Sequence, residues 1–165
     1  MAHGRVAGTH RAEARTVKLA ACLGAALLMW ASAGCSHLVV LHDPLTAPEH
    51  NDLGVIHEVR REPKLAAQEY RRALRLAPHW SAPRVNLGNI AAADQRWGTA
   101  AKHYRRALGD SATDCDAMNN LAMALLRKGR ALAEARTLAE RAVACGGGND
   151  SLYRATLAEC RATGR

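Results

Sequence analysis

The sequence predicts an all-α chain built from a short row of helix-turn-helix units, and three observations carry that prediction. The first is a period. Leu53-Gly54, Leu87-Gly88 and Leu121-Ala122 recur every 34 residues, and Ala66 and Ala100, Tyr70 and Tyr104, and Ala73 and Ala107 keep the same interval. The second is composition: with no Phe and only 4% aromatic residues, a core must be assembled from Ala, Leu, Val and Met. That suits closely packed helices better than strands, which favour β-branched and aromatic side chains. The third is size. With 165 residues, 48% of them hydrophobic and 23% charged, the chain folds as one domain with appendages.

The first element is an export signal. Residues 1–18 hold Arg5, Arg11, Arg15 and Lys18 against the single acid Glu13, and residues 19–36 carry no charge. The apolar stretch 19–30 is the length of a signal h-region and too short to span a bilayer alone. Ser32-Ala33-Gly34-Cys35 then resembles the lipobox of bacterial lipoproteins, with Ser32 where that class prefers Leu. The resemblance implies that residues 1–34 are removed, that Cys35 is acylated, and that residues 35–47 form a lipidated tether. Ser36 implies sorting to the outer membrane, so the expected location is the bacterial cell envelope, lipid-anchored at the periplasmic face of the outer membrane. Each buried acyl methylene contributes about 0.8 kcal/mol, and more than one chain makes such an anchor stable. The uncharged run also extends through residue 41, which leaves an uncleaved anchor as the alternative.

After an extended HDPLTAP segment at residues 42–48, paired helices are expected at 48–61 and 63–76, at 82–95 and 97–108, and at 116–127 and 132–145. Pro78 stops one helix, Pro83 sits near the start of the next, and the Asp110–Asp114 stretch supplies capping residues in place of a proline turn. The third unit departs from the first two. One residue around Ala131 is inserted, Ala135, Ala139 and Ala142 follow at the right mutual spacing, and Ala139 stands where the earlier units have Tyr. Gly146 to Gly148 break the helix, and Asn149, Asp150 and Ser151 can start a last one.

This 34-residue Leu-Gly, Ala, Tyr, Ala pattern is similar to that of the tetratricopeptide repeat (TPR) family. The resemblance implies a short superhelix over residues 48–165, with repeats near 47–80, 81–114 and 115–149 and a cap at 150–163. Each repeat would be an antiparallel pair of helices, A and B. It further implies a concave groove that takes a protein or peptide partner, lined by positions 2, 5, 9 and 12 of each A helix. Those positions are Pro48, Asn51, Val55 and Glu58; then Ala82, Val85, Asn89 and Ala92; then Asp116, Asn119, Met123 and Leu126. The Lys and Arg clamp by which some members hold a terminal carboxylate is absent from this set.

No chemistry beyond binding is expected. Cys115, Cys145 and Cys160 match no zinc spacing, and the sequence leaves open a Cys115–Cys145 disulfide, a Cys145–Cys160 disulfide, or three free thiols. His57-Glu58-Val59-Arg60-Arg61 begins like a metalloprotease helix but has Arg61 where the second ligand is required. With no phosphate loop, nucleophile elbow or paired-carboxylate motif, neither an enzyme nor a cofactor, metal or small-molecule substrate is expected. The net charge of +8 falls to +5 once residues 1–34 are removed. The Arg71-Arg72 and Arg105-Arg106 pairs read as the solvated face of each B helix, with an anionic-polymer or nucleic-acid stripe as the alternative. No aromatic residues are interleaved for base stacking, so nucleic acid is not the expected partner.

Overall fold

A computed structural model describes residues 43–146 and 149–163. Cys35 and the export segment lie outside the described residues. Within them run seven helices: α1 (Ala47–Val59), α2 (Pro63–Leu76), α3 (Ser81–Ala93), α4 (Trp97–Asp110), α5 (Cys115–Lys128), α6 (Leu132–Cys145) and α7 (Asp150–Thr163). Among the described residues none is long and apolar enough to cross a membrane.

Local chemistry sets the helix starts. Thr46 opens α1 with a reciprocal cap: its hydroxyl accepts from the Glu49 N–H at 3.5 Å, and the Glu49 carboxylate accepts the Thr46 N–H at 2.7 Å. Those bonds, first the backbone one, hold the Glu49 carboxyl below its usual range. Asp114 caps α5 by accepting the Ala117 N–H at 2.9 Å. The fourth helix runs two residues past the expected Leu108, to Asp110, whose carboxylate is held by Arg84 from the first turn of α3.

The A-helix ends need a correction. α1 and α3 stop at Val59 and Ala93 rather than running through Arg61 and Gln95, because those two residues take left-handed backbone with φ of 60° and 57°. Each lets the next N–H reach back to close the helix, Glu62 to the His57 carbonyl and Arg96 to the Ala91 carbonyl. Gly129, with φ of 65°, does the same for α5, and Arg130 closes onto Leu125. The three stops are therefore in register, and the extra residue of the third unit falls after Gly129, where Ala131 adopts φ of 53° before α6 begins.

Packing follows the period. α1 lies on α2, α3 on α4 and α5 on α6, while each B helix also packs on the next A helix. Small residues make that closeness available: Ala66, Ala73, Ala100, Ala107, Ala135, Ala139 and Ala142 are all fully buried. Tyr70 and Tyr104 fill the space between them, each ring lying directly over Gly54 or Gly88. A disulfide joins Cys115 and Cys145, the first residue of α5 and the last of α6, with their Cα atoms 6.1 Å apart. Cys160 on α7 is a buried free thiol, and burial, then Glu159, pushes its pKa up.

Candidate functional site

The A helices form one layer, in which α3 touches α5 and α5 touches α7, and the B helices form the other. A series of side-chain bonds runs across the A layer. Asn86 Nδ2 donates to Asn51 Oδ1 at 3.2 Å, linking α3 to α1. Asn89 Oδ1 accepts both the Tyr104 hydroxyl at 2.9 Å and Asn120 Nδ2 at 3.1 Å, linking α3 to α4 and α5. Asp116 accepts Tyr153 Oη at 2.7 Å and Asn149 Nδ2 at 2.9 Å, linking α5 to the cap. Because Asn51 and Asn89 spend their oxygens inside this network, their Nδ2 groups are left to donate to an incoming carbonyl.

The residues counted for the groove separate into two sets. Asn51, Val55, Glu58 and Asn89 are accessible, Val55 at 43% exposure. Val85, Asn119 and Leu126 are not: they are 8%, 2% and 7% exposed, and Met123 is half-buried against the same core. The expectation that Val85, Asn119 and Leu126 line an open groove is corrected accordingly. The physical reason is the closeness of α5 to both α3 and α7, which closes the groove face of α5 with neighbouring helices. Asn119 keeps one bond, Nδ2 to Asn120 Oδ1 at 3.3 Å, and its own Oδ1 is buried without a partner.

Between α1 and α3 the layer stays open. Here a cavity of about 430 Å³ is lined by Glu58, Arg61, Pro63, Asn89, Ile90, Ala93 and Asp94. Val55, Ile56 and Val59 continue an exposed apolar stretch along α1. Glu58 is partly withdrawn from water, and that desolvation raises its carboxyl above the usual range against the opposing effect of the nearby Tyr70 hydroxyl. Arg61, Ile90, Ala93 and Asp94 were not nominated from the sequence. Three of them lie at or just beyond the helix ends, and Ile90 sits one position off the counted stripe.

The basic pairs on the B helices are divided. Arg72 bonds Glu69 at 2.7 Å, and Glu69 also holds the buried His50 at 2.8 Å. Arg105 makes a two-oxygen contact with Glu134 at 3.0 Å. One member of each pair is thus neutralised within the fold. Among the described residues no group of three His, Cys, Asp or Glu side chains is placed to hold a metal ion.

Solved structures share this arrangement. The first TPR of Spaghetti (RPAP3), bound to the HSP90 peptide SRMEEVD, matches with a TM-score of 0.65 at 14% identity, over 76% of this chain and 99% of that one. The Sgt2 TPR domain from Aspergillus fumigatus matches with a TM-score of 0.64 at 19% identity, over 70% of this chain and 77% of that one. The chain has the TPR fold. No family model matches it, and no curated protein matches it by sequence. In TPR terms α1, α3 and α5 are the A helices of three repeats, α2, α4 and α6 their B helices, and α7 a terminal A helix with its outer face in water.

Proposed function

We propose that this TPR domain is a non-catalytic adaptor that holds an extended segment of a partner protein in the groove between α1 and α3. The observation that carries this reading is the open cavity beside Glu58 and Asn89, bordered by exposed Val55 and supplied with side-chain amide donors. Apolar side chains of a partner would cover Val55 and Ile90, while its backbone carbonyls take the Asn51 and Asn89 amides. The solved Spaghetti TPR carries a peptide, which supports the same class of ligand here. The counted groove positions carry no clamp cation, and the one cation at the cavity, Arg61, is outnumbered there by Glu58 and Asp94, so an internal segment fits better than a free carboxyl terminus.

Cys35 would hold the adaptor by its acyl chains at the periplasmic face of the outer membrane, where it serves pilus, secretion or outer-membrane assembly. The Cys115–Cys145 disulfide supports export, since such bonds persist in oxidising compartments. A photo-crosslinker placed at position 55 of the full chain in a bacterial envelope should capture a discrete partner, and one at position 75 on α2 should not. Equal labelling from both positions would remove the groove reading. Replacing Cys35 with Ala should abolish metabolic acylation and release the domain from the membrane.

A further inference from the structure

A second cleft lies between α2 and the α3–α4 turn. Its volume is about 460 Å³, and it is lined by Pro63, Lys64, Ala67, Gln68, Arg71, Ile90, Asp94 and Arg96. We propose that the cleft formed by Lys64, Gln68, Arg71 and Arg96 is a phosphate-binding site, which adjoins the groove between α1 and α3 at Pro63, Ile90 and Asp94 but places its cations outside that groove.

The placement of these side chains follows from the fold. Lys64, Gln68 and Arg71 are spaced four and three residues apart, which puts them on one face of α2. Arg96 comes from the turn that opens α4. The single acid in the lining, Asp94, is bonded to Arg96 at 2.9 Å, so three cations face one carboxylate. Lys64 and Arg71 make no ion pair within the described residues, in contrast to Arg72, Arg84 and Arg105, which are all matched to acids. Their charges are uncommitted, and they converge with the Gln68 amide on a concave surface floored by Ala67 and Ile90.

That combination fits an oxyanion better than a carboxyl-rich surface or an apolar ligand. Arginine presents a planar fork to two phosphate oxygens, lysine adds a point charge, and an amide adds a neutral donor. Arg96 is the cap residue before α4, which has no side-chain cap, so the partial positive end of α4 adds to the field, while at the start of α2 the Glu62 carboxylate turns to His57. His103 on α4 registers the same field. Burial, then Arg106, Arg71, Arg84 and Arg96, holds its imidazole below the ordinary range, and no acid offsets them. The shared chemistry is a phosphate group, and a soluble phosphomonoester or the phosphodiester of a lipid headgroup could each supply it.

The test is calorimetric titration of the full chain with inorganic phosphate and, separately, with glycerophosphoglycerol as a soluble lipid-headgroup diester. Saturable binding of either probe is expected, weakened about tenfold or more by the double change Lys64→Ser, Arg71→Ser. Arg75→Ser, an exposed charge on the same helix outside the cleft, should leave it unchanged. In parallel, NMR titration of the His103 ring should show its pKa moving up when the probe binds, as an anion offsets the neighbouring guanidinium groups. Stronger binding of inorganic phosphate assigns a soluble phosphate ligand, and stronger binding of the glycerophosphoglycerol diester assigns a lipid headgroup. Absence of saturable binding of both probes, or equal weakening by Arg75→Ser, overturns the site.

Discussion

Gly88 and Tyr104 occupy one another's space: a Cβ on Gly88 would stand 2.7 Å from Tyr104 Cδ1. Gly54 and Tyr70 repeat the relationship at the same distance one unit earlier. In the third unit both partners change, to Ala122 and Ala139, and both remain fully buried. Gly88→Ala should therefore destabilise the domain by about 1 to 2 kcal/mol, because overpacking outweighs the roughly 1 kcal/mol gained in helix propensity. Adding Tyr104→Ala to Gly88→Ala should cost less than the sum of the single changes. Urea unfolding of the two single variants and the double variant measures the coupling, and strict additivity would contradict the packing account.

The two tyrosines differ at their hydroxyls. Tyr104 Oη donates to Asn89 at 2.9 Å, whereas Tyr70 Oη is buried with no hydrogen bond of ordinary geometry and only the Glu58 carboxylate close by. The cause is one substitution within the period, since the position equivalent to Asn89 is Val55. Tyr70→Phe should be neutral or slightly stabilising, and Tyr104→Phe should cost about 1 kcal/mol. Val55→Asn should add stability of about 1 kcal/mol by giving Tyr70 its acceptor. Denaturation midpoints decide the matter, with the order of the two Phe variants as the critical outcome.

Reduction should weaken the third hairpin. The Cys115–Cys145 bridge spans a sequence separation of 30. Closing a loop of that size contributes about 3 to 4 kcal/mol by restricting the unfolded chain. Unfolding with and without dithiothreitol should differ by about that amount, and Cys115→Ser with Cys145→Ser should reproduce the reduced value. Native Cys160 should resist alkylation until the domain unfolds, because it is buried and its thiolate is disfavoured.

Glu58 predicts a pH dependence. Its carboxyl is raised above the unfolded value by burial, so the folded state binds more protons through the carboxylate range. Its contribution is present below the unfolded pKa and lost as pH rises through the higher folded one. Glu58→Gln should flatten that fall in stability between acidic and neutral pH. Thermal melts of both proteins across this range measure it, and an unchanged slope would count against the assignment.

The helix stops at Arg61 and Gln95 invite relief of local strain. Left-handed backbone costs a residue with a Cβ about 1 to 2 kcal/mol, partly offset by the greater unfolded-state entropy of glycine. Gln95→Gly should stabilise the domain by about 0.5 to 1 kcal/mol in urea titration. The chain already uses this solution at Gly129, where φ is 65°.

The period made the fold readable from the sequence, because Gly54, Tyr70 and their partners 34 residues on constrain one another in space. The stops at Arg61 and Gln95 were not readable, since neither residue type signals left-handed backbone. The groove was readable in part. Counting helix positions identifies a face, on which Val55 and Asn89 are exposed and Asn51 and Glu58 partly so. How far that face stays open depends on how closely successive A helices approach, which is a sum of many contacts. Val85, Asn119 and Leu126 fell on the closed part for that reason.

The matched glycine and tyrosine also bear on how such an array can be rearranged. A B helix carrying Tyr104 can serve opposite α1 or α3, where glycine receives the ring, but placed opposite α5 it would meet the methyl group of Ala122. The α6 helix moved the other way would leave a hole above Gly88. The A and B helices of the first two hairpins are thus interchangeable with each other, and those of the third are not. Duplication or recombination that respects whole hairpins keeps the domain folded, while a crossover between A and B helices of unlike units does not.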